Sequence, residues 1–182
     1  MSNTRQKLEE AKYFLSQMEA NIINISNFKF NLSAFVSASR SVTLFMQKEY
    51  AKEKKFSGWY KNWQLKMAIN PIYQLISRKR TMTIHTQPIE TRKDTKITLT
   101  ETLSLRDRVV LATIHQDGAV ELQDSGFDKD KPPSYKKPKV EHLWFFNDYL
   151  DNDILSVATD YISSLETLVK ECESKFKEKI KE

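Results

Sequence analysis

The sequence contains little glycine and almost no cysteine, and both shortages limit what the protein can be. Its three glycines, Gly58, Gly118 and Gly126, stand far apart in a chain of 182 residues. Loops that cradle phosphate need several glycines at fixed spacing, so a P-loop and a dinucleotide-binding fingerprint are excluded. The single cysteine, Cys172, cannot form a disulfide within the chain or supply a cysteine-based metal site.

Long hydrophobic runs and recognised catalytic motifs are also missing. No apolar run approaches the length of a transmembrane helix, and the first ten residues are too polar for a secretory signal. The three histidines, His85, His115 and His142, form no His-x-x-x-His or His-Glu-x-x-His pair. The sequence therefore predicts a cytoplasmic protein with no membrane partner, no catalytic metal and no cofactor.

The composition is that of a folded protein with a basic surface. Hydrophobic residues make up 40% of the chain and charged residues 29%, which is enough for a core with a well-solvated exterior. The net charge is +5 at pH 7. A positive charge of this size suits an anionic partner such as RNA or DNA, and it suits an ordinary basic protein equally well.

Apolar residues recur every three or four positions over most of the chain, which is the spacing of one face of an α-helix. The two most regular stripes lie near the two ends: Leu8, Ala11, Leu15, Met18, Ile22 and Ile25, and then Ile154, Ala158, Tyr161, Leu165, Leu168 and Cys172. Further helices are predicted over about 28–54, around Trp59, and from Pro71 onward. The last helix, at 151–180, either packs within a bundle or pairs with another chain.

Arg40 interrupts a surface of small residues on the second predicted helix. Ser33, Ser37 and Ser41 repeat every four positions, a spacing that lets another helix approach closely. Arg40 either extends its charged end into solvent or belongs to a buried polar network near a site. In the second case it is a candidate substrate-binding residue.

The middle of the chain changes to an alternating pattern. Residues 96–105 alternate apolar residues with threonine and serine, residues 108–116 are a second strand-like run, and Asp117-Gly118 is a hairpin turn before a short strand at 119–123. We therefore predict a three-stranded antiparallel β-meander at 96–123, inserted into a mainly helical protein. Residues 124–139 are rich in proline and lysine and predict a basic, extended linker.

Arg80-x4-His85 is the segment whose side chains best suit chemistry on a phosphodiester. Histidine moves a proton near neutral pH, and arginine stabilises charge on phosphate oxygens. RNA supplies its own 2′-hydroxyl as nucleophile, so no metal is needed. If the helix begun at Pro71 breaks near Arg78 and another begins near Thr81, both side chains lie at a helix start, where the backbone N–H groups favour an anion.

The spacing between the arginine and the histidine allows other pairings. Arg78-x6-His85 and Arg108-x6-His115 fit the same loose rule. The alternative interpretation is that His85 is a surface histidine in a basic segment.

The order of these segments resembles the HEPN superfamily of helical-bundle proteins, many of which are prokaryotic ribonucleases and toxins. The resemblance lies in the first long helix, the helix containing residues 31–41, the pair Trp59-Tyr60, and the segment from Arg80 to His85. Ile84 matches the apolar residue that commonly precedes the motif histidine. The resemblance covers roughly residues 5–90 and the C-terminal helix, and the meander falls outside it.

The resemblance implies an up-and-down helical bundle over residues 1–182, with the 151–180 helix packed on it. It also implies a homodimer whose two motifs face each other across a cleft. Arg80 and His85 would be the catalytic pair of a metal-independent endoribonuclease of the toxin or phage-defence type, with RNA as substrate. The residues that would bind this substrate are Arg78, Lys79, Thr81 and Arg40.

Two positions depart from the family pattern and define the alternative. Thr81 follows the motif arginine where Asn, Asp or His is common, and Gln87 stands where one toxin subset, paired with nucleotidyltransferase antitoxins, has tyrosine. The alternative is a catalytically inactive HEPN-like module that dimerises or binds RNA, a protein antitoxin or another partner.

Overall fold

Helices dominate a computed structural model of the chain, which describes residues 2–98, 110–115, 119–124 and 139–176. The described residues form five helices, as the sequence predicted for a mainly α protein: α1 (Asn3–Ala20), α2 (Ile25–Glu49), α3 (Phe56–Ile69), α4 (Pro71–His85) and α5 (Ile154–Phe176). They also form four strands: β1 (Thr91–Thr98), β2 (Val110–Ile114), β3 (Val120–Asp124) and β4 (Lys139–Phe146).

The chain divides into two compact units. One comprises residues 1–92 and 144–182 and includes all five described helices, and the other comprises residues 93–143. No helix among the described ranges is both long and apolar enough to cross a membrane.

The core of the helical unit lies between the apolar stripes that the sequence predicted. Leu8, Leu165 and Leu168 are fully buried, as are Phe28 and Phe35 of α2. α1 and α2 form a hairpin joined by a short turn, and α5 packs against α1, α2 and α4. The terminal helix therefore buries its stripe inside its own bundle, which is the first of the two alternatives from the sequence.

Side-chain caps fix where the helices begin. Asn24 accepts a hydrogen bond from the backbone N–H of Asn27 at the start of α2. Asn70 does the same for α4, where Pro71 occupies the first turn. A single residue, Asn70, separates α3 from α4. Pro71 can begin the new helix directly because a backbone N–H in the first turn has no partner within the helix.

The second of the two strand pairings in the predicted meander is confirmed. β2 and β3 do form an antiparallel hairpin, with Val110 opposite Asp124 and Ile114 opposite Val120. The predicted turn Asp117-Gly118 lies outside the described residues. β1, however, pairs with β4, which the sequence analysis did not predict. Of the predicted first strand at 96–105, only 96–98 belong to β1, and the rest lies outside the described residues.

The C-terminal end of β4 packs into the core of the helical unit. The indole of Trp144 stacks on Phe28 with ring centroids 4.3 Å apart, and its Nε1–H donates to the carbonyl of Ile22 at 2.9 Å. Phe146 is fully buried as well. The predicted linker at 124–139 meets β3 and β4 at its two end residues, and its interior lies outside the described residues.

Candidate nucleic-acid interface

α4 runs unbroken from Pro71 to His85, so the predicted helix start near Thr81 is wrong. The sequence offers neither glycine nor proline to break it. The hydroxyls of Thr81 and Thr83 donate to the carbonyls of Ser77 and Lys79, one turn earlier, and thus fit within a continuous helix. His85 is therefore the last residue of α4, at the end whose dipole favours cations rather than anions.

The unbroken helix separates the two residues of the predicted catalytic pair. Each residue of an α-helix turns the chain by about 100°, so Arg80 and His85, five apart, point about 140° from one another. Arg78 and His85, seven apart, differ by only about 20°. Arg78, Thr81 and His85 thus lie along one side of α4, and Arg80 lies on another.

The other candidate residues of α4 have different environments. His85 and Arg78 are exposed, and Arg80 is half-buried. Lys79 is almost completely buried, and its ammonium forms an ion pair with Asp148. Lys79 therefore holds α4 to the segment after β4 and does not face a ligand.

An open groove of about 860 Å³ lies between α2, α3 and α4, with Tyr161 of α5 also lining it. Three of the predicted substrate-binding residues line it, namely Arg40, Thr81 and Arg78. Neither Arg80 nor His85 does, and His85 follows the groove-lining Thr81 by one helical turn. Among the described residues that line the groove, none is an aspartate or a glutamate.

Arg40 is half-buried and hydrogen-bonded on the groove wall, so it matches neither of the two alternatives from the sequence in full. Its guanidinium donates to the hydroxyl of Thr43, which is buried and in turn donates to the Arg40 carbonyl at 3.2 Å. Gln47 donates to the Thr43 carbonyl and to the hydroxyl of Tyr60. The bond to Thr43 orients the Arg40 guanidinium on the groove wall.

The three tyrosines that line the groove keep their phenolic protons. Burial raises the pKa of the Tyr60 hydroxyl, an effect that Thr43 and the charge of Arg40 partly oppose. Burial also raises the pKa of Tyr73, whose hydroxyl donates to Ser164 at 3.0 Å, and that of Tyr161. The groove therefore presents neutral phenols and two permanently charged arginines.

The positive charge of the groove is not cancelled by an ion pair. In the described part of the chain, no carboxylate lies within 4 Å of the guanidinium of Arg40 or Arg78. Arg78 does help to lower the pKa of Asp148, although the main cause there is the hydrogen bond from Lys79. Two uncompensated guanidinium groups facing one groove attract an anion, and their planar donors suit phosphate oxygens.

The remaining histidines lie outside this region. His142 contacts the hydroxyl of Thr95, and burial lowers its pKa. His115 lies 3.5 Å from a carboxylate oxygen of Glu121 in the β2–β3 hairpin. No group of three or more His, Cys, Asp or Glu residues that could hold a metal occurs among the residues that the structure describes.

Sequence reasoning missed other residues that line the groove, above all Gln47 and Gln74. The signals that the sequence did carry for this region were the arginine in a small-residue surface on α2 and the aromatic pair Trp59-Tyr60. Four of the described helices contribute residues to the groove, and no pattern within one helix shows which residues of another helix it contacts.

Fold and groove together define a mainly helical protein with an arginine-lined groove suited to an anionic ligand. The chain belongs to the family described as bacteriophage lambda protein ea47, whose family model matches residues 1–176. Comparison with curated proteins and with solved structures gives no match.

Proposed function

We propose that the protein binds RNA through the groove between α2, α3 and α4. The observation that carries this proposal is that Arg40 and Arg78, from two helices, line one groove whose described lining contains no carboxylate. Backbone phosphates supply most of the affinity of proteins for nucleic acids, and arginine is well suited to contact them. Tyrosine and methionine in the lining add surface for bases.

Binding is tested with a short fluorescent single-stranded RNA, by anisotropy over a range of salt concentrations. Arg40→Ala and Arg78→Ala should each weaken binding about fivefold or more and reduce the salt slope by about 1, because each removes one phosphate contact. Arg80→Ala is the matched control: it removes the same charge two residues away but does not line the groove. An equal loss in Arg80→Ala would show that charge in general, and not the groove, binds RNA.

Metal-independent cleavage of the bound RNA, as in HEPN ribonucleases, is the second candidate function. The observation that favours it is the shared side of α4 for Arg78 and His85. In this version His85 moves the proton of the 2′-hydroxyl, and Arg78, rather than Arg80, stabilises the charge on the phosphate oxygens. The homodimer that the resemblance implies would bring a second such pair to the substrate.

Cleavage is tested on labelled RNA in EDTA, with the oligomeric state of the same sample measured by light scattering. His85→Ala and Arg78→Ala should abolish product, and Arg80→Ala should retain it. Loss in Arg80→Ala together with activity in Arg78→Ala would restore the pair predicted from the sequence. Binding without any product would leave the protein as an RNA-binding module.

A further inference from the structure

Two glutamine side chains in the groove have amides of fixed orientation. The Nε2 group of Gln74 donates to the carbonyl of Ala68 at 2.6 Å. The Nε2 group of Gln47 donates to the carbonyl of Thr43 at 3.0 Å and to the hydroxyl of Tyr60 at 3.2 Å. Both glutamines line the groove, one on α4 and one on α2.

The chemistry of these partners decides which end of each amide remains available. A backbone carbonyl only accepts hydrogen bonds, so the NH₂ end of each amide must face it. The oxygen Oε1 of Gln47 and that of Gln74 are left as acceptors, and no donor among the described residues bonds to either. Gln64 also lines the groove, but in the same part of the chain no hydrogen bond fixes its amide.

The groove therefore offers two kinds of complementary group. The guanidinium groups of Arg40 and Arg78 are donors and match phosphate oxygens. The oxygens of Gln47 and Gln74 are acceptors and match N–H groups of a ligand. A ligand that satisfies both carries negative charge and N–H donors together.

Nucleobases differ in this property. Adenine, cytosine and guanine each carry an exocyclic amino group, whereas thymine presents an acceptor oxygen at the corresponding position. Uracil has the same Watson–Crick edge as thymine, with its one N–H donor, at N3, between two carbonyl oxygens. An acceptor oxygen facing the O4 of uracil leaves both groups without a donor, and such unpaired polar groups reject a ligand more strongly than a lost contact does.

We propose that Gln74 and Gln47 make the groove selective for RNA whose bases carry an exocyclic amino group, against uracil. This selectivity rests on the proposed RNA binding, because it describes the base end of the same groove. Gln74 is the clearer of the two determinants, since Gln47 also donates to the hydroxyl of Tyr60.

The test compares oligocytidine with oligouridine of one length, at one salt concentration, by fluorescence anisotropy. Cytosine and uracil are pyrimidines of one size that differ in the group at position 4 and in the proton on N3. The unmodified protein should bind oligocytidine about fivefold more tightly. A second pair, adenosine against purine riboside at one position of the oligonucleotide, removes only the amino group and should give the same direction.

Gln74→Met replaces the amide by an apolar group of similar length and should reduce the preference to about twofold or less, while affinity for oligouridine stays the same or rises. Gln64→Met is the matched control in the same groove and should keep the full preference. The double variant Gln47→Met/Gln74→Met should bind both oligonucleotides equally.

The outcomes separate this inference from the proposed function. Binding of oligocytidine and oligouridine with equal affinity by the unmodified protein would overturn the selectivity and leave RNA binding standing. A preference that survives in the double variant, with its helical circular dichroism unchanged, would also overturn it. Failure to bind any oligonucleotide would refute the proposed function itself.

Discussion

The ion pair between Lys79 and Asp148 predicts an unequal response to the loss of its two members. The Lys79 side chain is only 3% exposed, whereas that of Asp148 is 53% exposed. The ammonium also lies 5.0 Å from the centroid of the Phe146 ring. Removing either member breaks the same contact, but the group that is left behind differs in its access to water.

The magnitudes follow from that difference. Asp148→Ala leaves a buried ammonium without its carboxylate, and an uncompensated buried charge costs about 3–5 kcal/mol of unfolding free energy. Lys79→Met keeps the apolar stem and leaves a half-exposed carboxylate that water solvates, so the cost should be about 1 kcal/mol. We expect Asp148→Ala to be the more destabilising variant by about 2 kcal/mol or more.

The pH dependence supplies an independent check. The hydrogen bond from Lys79 holds the pKa of Asp148 below its usual value. The stabilisation is therefore fully present above the unfolded-state pKa of about 3.9, and it is lost as the pH falls through the lower folded-state value. In increasingly acid buffers, the stability difference between the unmodified protein and Lys79→Met should shrink.

Urea unfolding followed by circular dichroism measures both effects, with exposed Lys29→Met as the control for the substitution itself. A Lys79→Met variant as unstable as Asp148→Ala would refute the argument from burial. A stability difference that stays constant into strong acid would refute the assignment to the ion pair.

Three further predictions concern contacts elsewhere in the helical unit. Trp144→Phe keeps the ring stacked on the core but loses the hydrogen bond to the Ile22 carbonyl, so urea unfolding should show a loss of about 1 kcal/mol; no change would mean that water replaces the bond. Glu171→Ala removes the carboxylate that accepts both indole N–H groups of α3. Tryptophan emission should therefore shift to longer wavelength, and amide hydrogen exchange in α3 should accelerate. Unchanged exchange would show that other contacts hold this helix. Burial raises the pKa of the Cys172 thiol to about 12, so alkylation in mildly alkaline buffer should require unfolding, and rapid labelling of the folded protein would contradict its burial.

The helices could be predicted because their signal is local. The terminal stripe from Ile154 to Cys172 has all six of its residues at 1% exposure or less. Each of these positions is set by the 3.6-residue period alone, so no knowledge of the partner helix is needed to place the buried face.

Strand pairing could not be predicted in the same way. β1, with the sequence Thr91–Thr98, has no clean alternation of apolar and polar residues, and its partner β4 begins 40 residues after it ends. β4 does carry a signal in its buried Trp144 and Phe146, which alternate with the less buried Phe145. The β2–β3 pair was predictable because its two strands are close together in the chain, whereas the β1–β4 pair depends on a distant segment.

In the candidate site, the direction of each side chain around the α4 axis decides which arginine lies on the same side as His85. Counting from arginine to histidine favoured Arg80, but it assumed a break between Arg78 and Thr81, where the chain has no residue that breaks a helix. Without that break, the residue that shares a side of α4 with His85 is Arg78, and this arginine also lines the groove. The buried Lys79 between the two arginines fixes these directions, because its side chain must point into the core. If the groove binds RNA, substitution of Arg78 should weaken binding about fivefold or more, whereas substitution of Arg80 should not.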